Sequence, residues 1–248
     1  MFDEKKVELE LAGRTLSFST GKIARQSCGA VMVQYGETVL LSTVNRSKEP
    51  RKGADFFPLT VDYIEKFYAA GKFPGGFNKR EGKASENAIL TCRVIDRPMR
   101  PLFPKDYRND VTLENLVMSV DQDCSPELTA MLGAAIATSI SDIPFDGPIS
   151  TTQVGLVDGE FVFNPTAAQK EVSDLALTVA STKEKVIMIE AGANEVPEAQ
   201  MIEAIFAAHE LNQKVIAFIE TIVAECGKAK HEYTSCAVPE ELFEAIKE

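Results

Sequence analysis

The residues best suited to bind a ligand lie between Lys66 and Arg108, a strongly basic segment of an acidic chain. This segment contains ten Lys or Arg residues and four Asp or Glu residues, whereas the 248-residue chain carries a formal net charge of −11. General solubility does not require such a local excess of positive charge, but a surface that meets a polyanion such as RNA does. The alternative interpretation is a solvated loop followed by an amphipathic helix.

The first half of this segment contains a glycine-rich stretch at residues 71–82, with the sequence GKFPGGFNKREG. Glycine allows a tight, exposed loop. On such a loop Phe77 can stack on an unpaired base, while Lys79, Arg80 and the nearby Lys83 can hold phosphates. A purely structural Gly/Pro loop explains the same composition. The stretch is not a P-loop, because the pattern GxxxxGK[ST] does not occur.

The second half of the segment predicts a helix that begins after Ser85, its N-cap, and runs to about Arg97, where Pro98 should end it. Arg93 and Arg97 are four residues apart and therefore lie on one face. Arg100 extends that face if the turn continues, so all three arginines are candidates for contact with RNA. In the alternative interpretation the arginines pair with the nearby carboxylates of Glu81, Glu86 and Asp96 and do not touch RNA.

Other side chains give weaker indications of chemistry. The five cysteines are scattered without a CxxC pair, and the two histidines lie far from any useful ligand spacing, which argues against a zinc site and against a disulfide framework. Single carboxylates are candidates for metal binding or acid–base work, although each is more often a surface or capping residue. These carboxylates are Asp62, Asp121, Asp123 and Asp174.

Composition indicates an ordinary globular protein. Hydrophobic residues make up 45% of the chain, enough to bury a full core in one large or two small α/β domains. The N-terminal sequence MFDEKKVELE has no apolar region typical of a signal peptide, and no apolar run is long enough to cross a bilayer. The odd, unclustered cysteines favour a reduced, cytoplasmic location, and the acidic excess argues against non-specific membrane binding.

Alternating apolar and polar residues predict a series of strands. Three hairpins are indicated by two-residue turns at Gly13-Arg14, Gly36-Glu37 and Asp158-Gly159. The flanking strand sequences are VELELAG and RTLSFST, AVMVQY and TVLLSTV, and ISTTQVGLV and EFVFN. Further strands are predicted at FPLTVDY and VTLENLVMSV, and buried strands at LALTVAS and VIMIEAG.

Three more helices complete the prediction of a mixed α/β fold. One begins at Ser125 with Pro126 in its first position, and the small residues around its Gly133 suggest close packing against a sheet. Its predicted apolar stripe consists of Leu128, Met131, Leu132, Ala135 and Ile136. A long helix is predicted from near Pro197 to Ala224, with Met201, Ile202, Ile205, Phe206 and His209 at helical spacing. A short acidic helix at Pro239–Lys247 follows the polar stretch GKAKHEYTSC.

Four segments resemble the first core domain of bacterial polynucleotide phosphorylases. They are GADFFPLTVDY, FPGGFNKREG, SENAILTCRVIDRPMRPLFP and SDIPFDGPISTTQVGLVDGEFVFNPT, and the resemblance covers essentially the whole chain. The phrase that ends in IDRPMRPLFP is long and highly specific. The resemblance implies an α/β fold with mixed sheets (α+β) of the ribonuclease PH type, which has the β-α-β-α arrangement of ribosomal protein S5 domain 2.

The resemblance also implies an activity and a set of partners. Members of this family degrade single-stranded RNA from its 3′ end, with inorganic phosphate as co-substrate and magnesium as cofactor, and release nucleoside diphosphates. They contain two such cores, a helical domain between them and C-terminal KH and S1 domains, and they assemble as homotrimeric rings. Proteins of an RNA degradosome are candidate partners, whereas neither a membrane nor DNA is required. Residues 1–228 would be the first core and residues 229–248 the start of the all-helical linker domain.

The residues that carry catalysis in the family's second core are altered in this chain. In the family's second core, a serine-rich loop at a helix start holds phosphate. A strand with the pattern Asp-x-Asp-x-Lys serves metal binding and the stabilisation of charge. The matching helix start here is Cys124-Ser125-Pro126-Glu127, in which proline removes an amide donor and glutamate repels phosphate. The matching strand, Asp174 to Thr178, keeps only the first aspartate. The resemblance therefore implies a degenerate core with no catalytic residues, and places the magnesium site outside this chain.

The RNA-facing positions of the family are better preserved. The residues predicted to bind RNA are Phe77, Lys79, Arg80, Lys83, Arg93, Arg97 and Arg100. Asn78 departs from the family pattern, in which an aromatic residue is common, and this weakens the case for two stacked bases.

Three functional hypotheses follow. In the first, the chain is the N-terminal core of the exoribonuclease and is inactive alone; the end of the chain within an apparently helical segment favours this. In the second, it is a freestanding, non-catalytic RNA-binding or scaffold subunit of an exosome-like ring. The third, an active ribonuclease PH that trims tRNA ends, is disfavoured by the missing aspartate and lysine.

Overall fold

Two β-sheets and five helices form the protein in the computed structural model, which describes residues 4–235 and 240–247. The strands are β1 (Lys5–Leu11), β2 (Arg14–Thr20), β3 (Gly29–Tyr35), β4 (Thr38–Pro50), β5 (Leu59–Ile64), β6 (Asn109–Ser119), β7 (Ser150–Val157), β8 (Glu160–Phe163), β9 (Leu175–Ser181) and β10 (Val186–Ala193). The helices are α1 (Glu86–Met99), α2 (Pro126–Ile140), α3 (Ala167–Val172), α4 (Glu198–Cys226) and α5 (Glu240–Lys247). The prediction of a mixed α/β fold is confirmed.

The six strands of the first sheet have the order β1-β2-β3-β4-β6-β5, and all neighbours are antiparallel except β5 and β6. The predicted turns at Gly36-Glu37 and Asp158-Gly159 are confirmed as two-residue hairpin loops. The first turn was predicted one residue too late. Arg14 already pairs with Leu11, so the loop is Ala12-Gly13, where both residues have positive φ angles of 49° and 75°.

Helix α2 lies between the two sheets. It contacts β3, β4 and β6 on one side and β7 of the second sheet on the other. Ser125 is its N-cap and Pro126 its first residue, as predicted. The predicted apolar stripe is only part of what is buried, because every residue from Leu128 to Ile140 is shielded from solvent. A Cβ atom on Gly133 would lie 2.3 Å from the Ser42 hydroxyl oxygen, so the predicted close packing is confirmed.

Helix α1 begins as predicted and ends later. Ser85 caps it by accepting a hydrogen bond from the Ala88 N–H at 3.1 Å. The prediction that Pro98 ends the helix at Arg97 is wrong, because the helix runs through Pro98 to Met99. Proline in the last turn removes one backbone bond, and the Arg100 N–H, two residues later, still donates to the Asp96 carbonyl.

The second sheet has the order β10-β9-β7-β8, and its outer strand corrects a prediction. The sequence VIMIEAG was expected to be buried, but within β10 only Met188 is. β10 forms an edge of the sheet, and five of its eight residues are exposed to solvent. Helix α4 packs on this sheet with Ala204 and Ala208 and on the main core with Val215 and Ile219.

Some predicted helical positions also differ. On α4, Ile202 and Phe206 of the predicted set are exposed, while the partly buried Met201 and Ile205 pack against the second core cluster. Helix α3 is not among the predicted helices; Thr166 and Gln169 form a capping box at its start. Helix α5 matches the predicted acidic helix, although Pro239 lies outside the described residues.

The segment after α4 remains attached to the main body. Lys228 N–H donates to the Ile140 carbonyl at 3.0 Å, and His231 N–H donates to the Asp142 carbonyl at 2.8 Å. The Lys230 ammonium donates to the carbonyls of Ser139 and Ser141, at the C-terminal end of α2. Residues 228–231 therefore pack with the core, and the boundary at residue 228 stays a prediction.

Candidate nucleic-acid interface

The basic loop, defined here as residues 71–84, projects from a well-anchored stem. It follows a 3₁₀ turn at Phe67–Ala70 that ends at Gly71 in the left-handed conformation, with φ 66°. The Tyr68 hydroxyl ties this turn to the first sheet by donating to the Val117 carbonyl at 3.0 Å. On the other side, the Glu81 carboxylate accepts a hydrogen bond from the Phe67 backbone N–H. Both ends of the loop are thus held while its middle remains free.

The tip of the basic loop exposes two aromatic rings. The relative exposure of Phe77 is 102%, and that of Phe73 is 91%. Burial of apolar area normally stabilises a fold, so two fully exposed rings on one short loop need another reason. Phe73 is absent from the residues predicted above, although its place in the same Gly/Pro stretch gave the same signal as Phe77.

The cations of the basic loop are available for a ligand. Lys79, Arg80 and Lys83 are exposed. None of their side chains has an ion pair or side-chain hydrogen bond within the described part of the chain. Lys79 adopts a positive φ of 45°, and its backbone N–H donates to the Gly76 carbonyl at 2.9 Å. Phe77 and Lys79 both lie in this turn, and both are exposed.

The three arginines of the α1 segment differ in their surroundings. Arg93 is exposed and pairs with none of the described residues. Arg97 reaches across to β10 and forms an exposed ion pair with Glu190 at 3.3 Å. The Arg100 guanidinium bonds to both Asp96 carboxylate oxygens and to the Phe57 and Leu59 carbonyls. Arg93 is the freest of the three to meet RNA, and Arg100 is the most committed to the fold.

The start of α2, which the sequence resemblance compared with a phosphate-binding helix start, is occupied by the protein's own groups. The Ser125 hydroxyl donates to the Glu127 carboxylate at 2.6 Å and accepts from the Leu128 N–H at 3.3 Å. Pro126 has no N–H to offer. A phosphate here would displace the serine bond and meet a negative charge, so this helix end is a poor anion site.

The candidate aspartates do not gather into one site. The Asp123 backbone N–H, together with that of Glu37, donates to the Asp121 carboxylate and holds the pKa of this carboxyl below its usual value. Asp123 in turn accepts from the Ala167 N–H, and Asp62 lies on β5. Asp174 is exposed just before β9. Within residues 4–235 and 240–247, no three His, Cys, Asp or Glu side chains are grouped to hold a metal ion.

Comparison with known families agrees with this architecture. The model described as "3′ exoribonuclease family, domain 1" matches residues 12–144, more than half of the chain, and the model for domain 2 of the same family matches residues 147–210. The chain belongs to the 3′ exoribonuclease family. The predicted ribonuclease PH-like fold is thereby confirmed.

Two curated relatives in this family are both polyribonucleotide nucleotidyltransferases, which is another name for polynucleotide phosphorylases. The chain is 75% identical over 244 residues to that of Lachnoclostridium phytofermentans and 57% identical over 244 residues to that of Ruminiclostridium cellulolyticum. Each match covers 98% of this chain and 35% of the relative, so the chain spans about a third of the length of these relatives. The resemblance predicted from the sequence is confirmed.

A solved structure supports the fold alone. The crystal structure of rice (Oryza sativa) Rrp46 superposes with a TM-score of 0.65 over 90% of this chain and 95% of that chain, at 13% sequence identity. At this identity the likeness shows a shared architecture and nothing further.

The different surroundings of the arginines lead to a prediction about stability. Arg100→Gln should lower the free energy of unfolding by about 1–2 kcal/mol, because it removes charge-assisted bonds to Asp96 and two carbonyls. Arg93→Gln, the matched control, should change it by less than about 0.5 kcal/mol, because no described contact is lost. Urea denaturation followed by circular dichroism measures both, and equal effects would contradict the distinction.

Proposed function

We propose that this chain is the first core of a phosphate-dependent 3′→5′ exoribonuclease, and that it contributes RNA contacts and assembly surface while the chemistry occurs elsewhere. The observation that carries the proposal is the anchored basic loop, which presents Phe73, Phe77 and unpaired cations to solvent. Aromatic rings that stack on bases and cations that meet phosphates are the two elements of a surface for single-stranded nucleic acid. Because the chain belongs to the 3′ exoribonuclease family, we take RNA to be the polyanion that this surface binds.

In this proposal Phe77 stacks on a base and Lys79, Arg80 and Lys83 hold the phosphates of a single strand. Phe73 supplies a second ring on the same loop, where Asn78 offers none. Arg93 adds positive charge along the path of the strand. Arg97 pairs with Glu190 and Arg100 pairs with Asp96. These two arginines therefore belong to the proposed surface through their contribution to its electrostatic potential.

The proposed reaction uses inorganic phosphate as co-substrate and magnesium as cofactor. The described residues of this chain do not fit a magnesium ion, because Asp174 is followed by Ala176 where a second carboxylate would be needed and no three acidic, His or Cys side chains are grouped. The start of α2 likewise offers phosphate a carboxylate. The metal and phosphate sites of the proposed enzyme therefore lie in another core.

The remaining elements of the proposal concern assembly and location. We assign residues 1–228 to the first core and residues 229–248 to the start of the helical linker domain, and we expect a homotrimeric ring in a cytoplasmic enzyme, with RNA-degradosome proteins as partners. No helix among the described residues is both long and apolar enough to span a bilayer. The alternative function, a freestanding scaffold subunit of an exosome-like ring, would use the same basic loop without a second core.

A first prediction tests catalytic incompetence. The chain should release no ADP from poly(A) in the presence of phosphate and magnesium, because the start of α2 and the strand after Asp174 lack the groups for phosphorolysis. Coupled detection of ADP measures this. Release that co-purifies with the chain and disappears in Asp174→Asn would contradict the proposal, since it would require a working site in this core.

A second prediction separates stacking from charge at the basic loop. Removing one phosphate contact with Lys79→Gln should weaken binding of single-stranded RNA about equally for all sequences and flatten the salt slope by roughly 0.7. Phe77→Ala should cost about 1–3 kcal/mol without a change in slope. The effects are measured by fluorescence anisotropy with labelled oligonucleotides across a salt series.

The control for this experiment is Lys214→Gln, an equal charge change on the exposed side of α4, far along the chain from the loop. If Lys79→Gln and Lys214→Gln give the same affinities and slopes, the basic loop does not bind RNA and the main site assignment is wrong.

A further inference from the structure

A cleft lies between the basic loop and the start of α1, and Phe77 is not among the residues that line it. It has a volume of about 680 Å³ and is bounded by the end of β5, the 3₁₀ turn at Phe67–Ala70, the basic loop and the start of α1. Sites for small molecules commonly have volumes of roughly 300–1,000 Å³. The cleft is therefore large enough for a mononucleotide.

The cations of the basic loop differ in whether they line this cleft. Lys72, Arg80 and Lys83 line the cleft, whereas Lys79 and Phe77 do not. The three lining side chains have no ion pair within the described part of the chain. Arg80 and Lys83, which the proposed function also places near RNA phosphates, thus border the cleft as well, whereas Lys79 does not.

The carboxylates of the cleft are already engaged. Glu81 accepts the Phe67 N–H and lies 3.9 Å from the Lys66 ammonium. Glu65 accepts the Tyr63 hydroxyl at 2.7 Å, and burial together with this bond raises the pKa of Tyr63, which stays protonated as the donor. The cleft is lined by four cations (Lys66, Lys72, Arg80 and Lys83) and these two carboxylates, which leaves a net charge of +2.

A further feature suits a nucleotide. The Phe67 ring lines the cleft and is 49% exposed, so it can stack on a base. The start of α1 borders the cleft but adds little for an anion, because Ser85 already accepts the Ala88 N–H and Glu86 places a carboxylate in the first turn. Positive charge and an available ring are the groups that bind the phosphates and base of a nucleotide.

We infer that this cleft binds a phosphate-bearing mononucleotide, with Lys72, Arg80 and Lys83 on the phosphates and Phe67 against the base. The ligand is either a free nucleoside diphosphate or one nucleotide of the RNA strand. The choice of a diphosphate rests on the proposed function, because nucleoside diphosphates are the products of that reaction. Occupancy would tie the inner face of the basic loop to α1 and so fix the orientation of the outer face.

The test uses ADP as the probe and isothermal titration calorimetry on the chain. ADP should bind saturably at a single site. Lys83→Gln should weaken binding about tenfold, as expected for the loss of one charge-assisted bond. Lys79→Gln, an equal charge change on the same loop, should leave ADP affinity within about twofold because Lys79 lies outside the cleft. Phe67→Leu should weaken ADP but leave pyrophosphate affinity unchanged.

Competition distinguishes the two sources of the nucleotide. Displacement of ADP by an adenosine oligonucleotide, with both ligands weakened by Lys83→Gln, would identify a nucleotide of the RNA strand. Simultaneous binding of both would identify a free nucleoside diphosphate.

The inference is wrong if ADP does not bind at millimolar concentration, or if Lys83→Gln and Lys79→Gln weaken it equally. Should ADP fail to bind while Lys79→Gln still weakens RNA binding, the cleft inference falls and the proposed function stands.

Discussion

The burial of α2 between the two sheets is the constraint on which the rest of this structure depends. A helix shielded on every side has no solvent-facing stripe, so its side chains must be small or apolar throughout, and Gly133 must be glycine because Ser42 lies where a Cβ would point. The first sheet can then curve around one side and β7 can approach the other. Both ends of α2 are closed by the protein itself, by Ser125 and Glu127 at the start and by Lys230 at the end. The same packing that stabilises the core leaves its helix start without room or charge for phosphate.

The basic loop shows the opposite arrangement. Its stem is fixed by Tyr68 and Glu81, whereas its outer residues contact little of the protein. A rigid base reduces the entropy that must be lost when a flexible strand is bound, and exposed rings can adapt to any base. A core of this kind could bind RNA without catalysing a reaction, because stacking on bases and contact with phosphates require only an exposed surface. A metal-dependent reaction needs several ligands held together, whereas no three His, Cys, Asp or Glu side chains of the described residues are grouped for a metal ion.

Much of this could be predicted from local sequence signals. The dipeptides Gly36-Glu37 and Asp158-Gly159 predicted two hairpin turns correctly, and Ser85 and Ser125 predicted two helix starts. Turns and caps can be predicted in this way because they depend on neighbouring residues. Features set by distant contacts could not be predicted. β10 is exposed because it is an edge strand, α1 passes Pro98 because the lost bond lies in its final turn, and Arg100 is occupied by carbonyls from a separate segment. In the candidate site, charge and composition located the loop, and Phe73 carried the same sequence signal as Phe77, but only the structure showed that Lys83 lines the cleft and Lys79 does not.

The central claim is that single-stranded RNA lies on the outer face of the basic loop, and photo-crosslinking tests it most directly. An oligonucleotide containing 4-thiouridine, irradiated with the chain and digested with trypsin, should leave its adduct mainly on the peptide from Phe73 to Lys79, which carries both exposed rings. The peptide that contains Phe206 provides the internal comparison, because Phe206 is also exposed but lies on the acidic helix α4. Adducts concentrated on the Phe73–Lys79 peptide would support the account. Adducts distributed equally over both peptides, or absent from the basic loop, would contradict it.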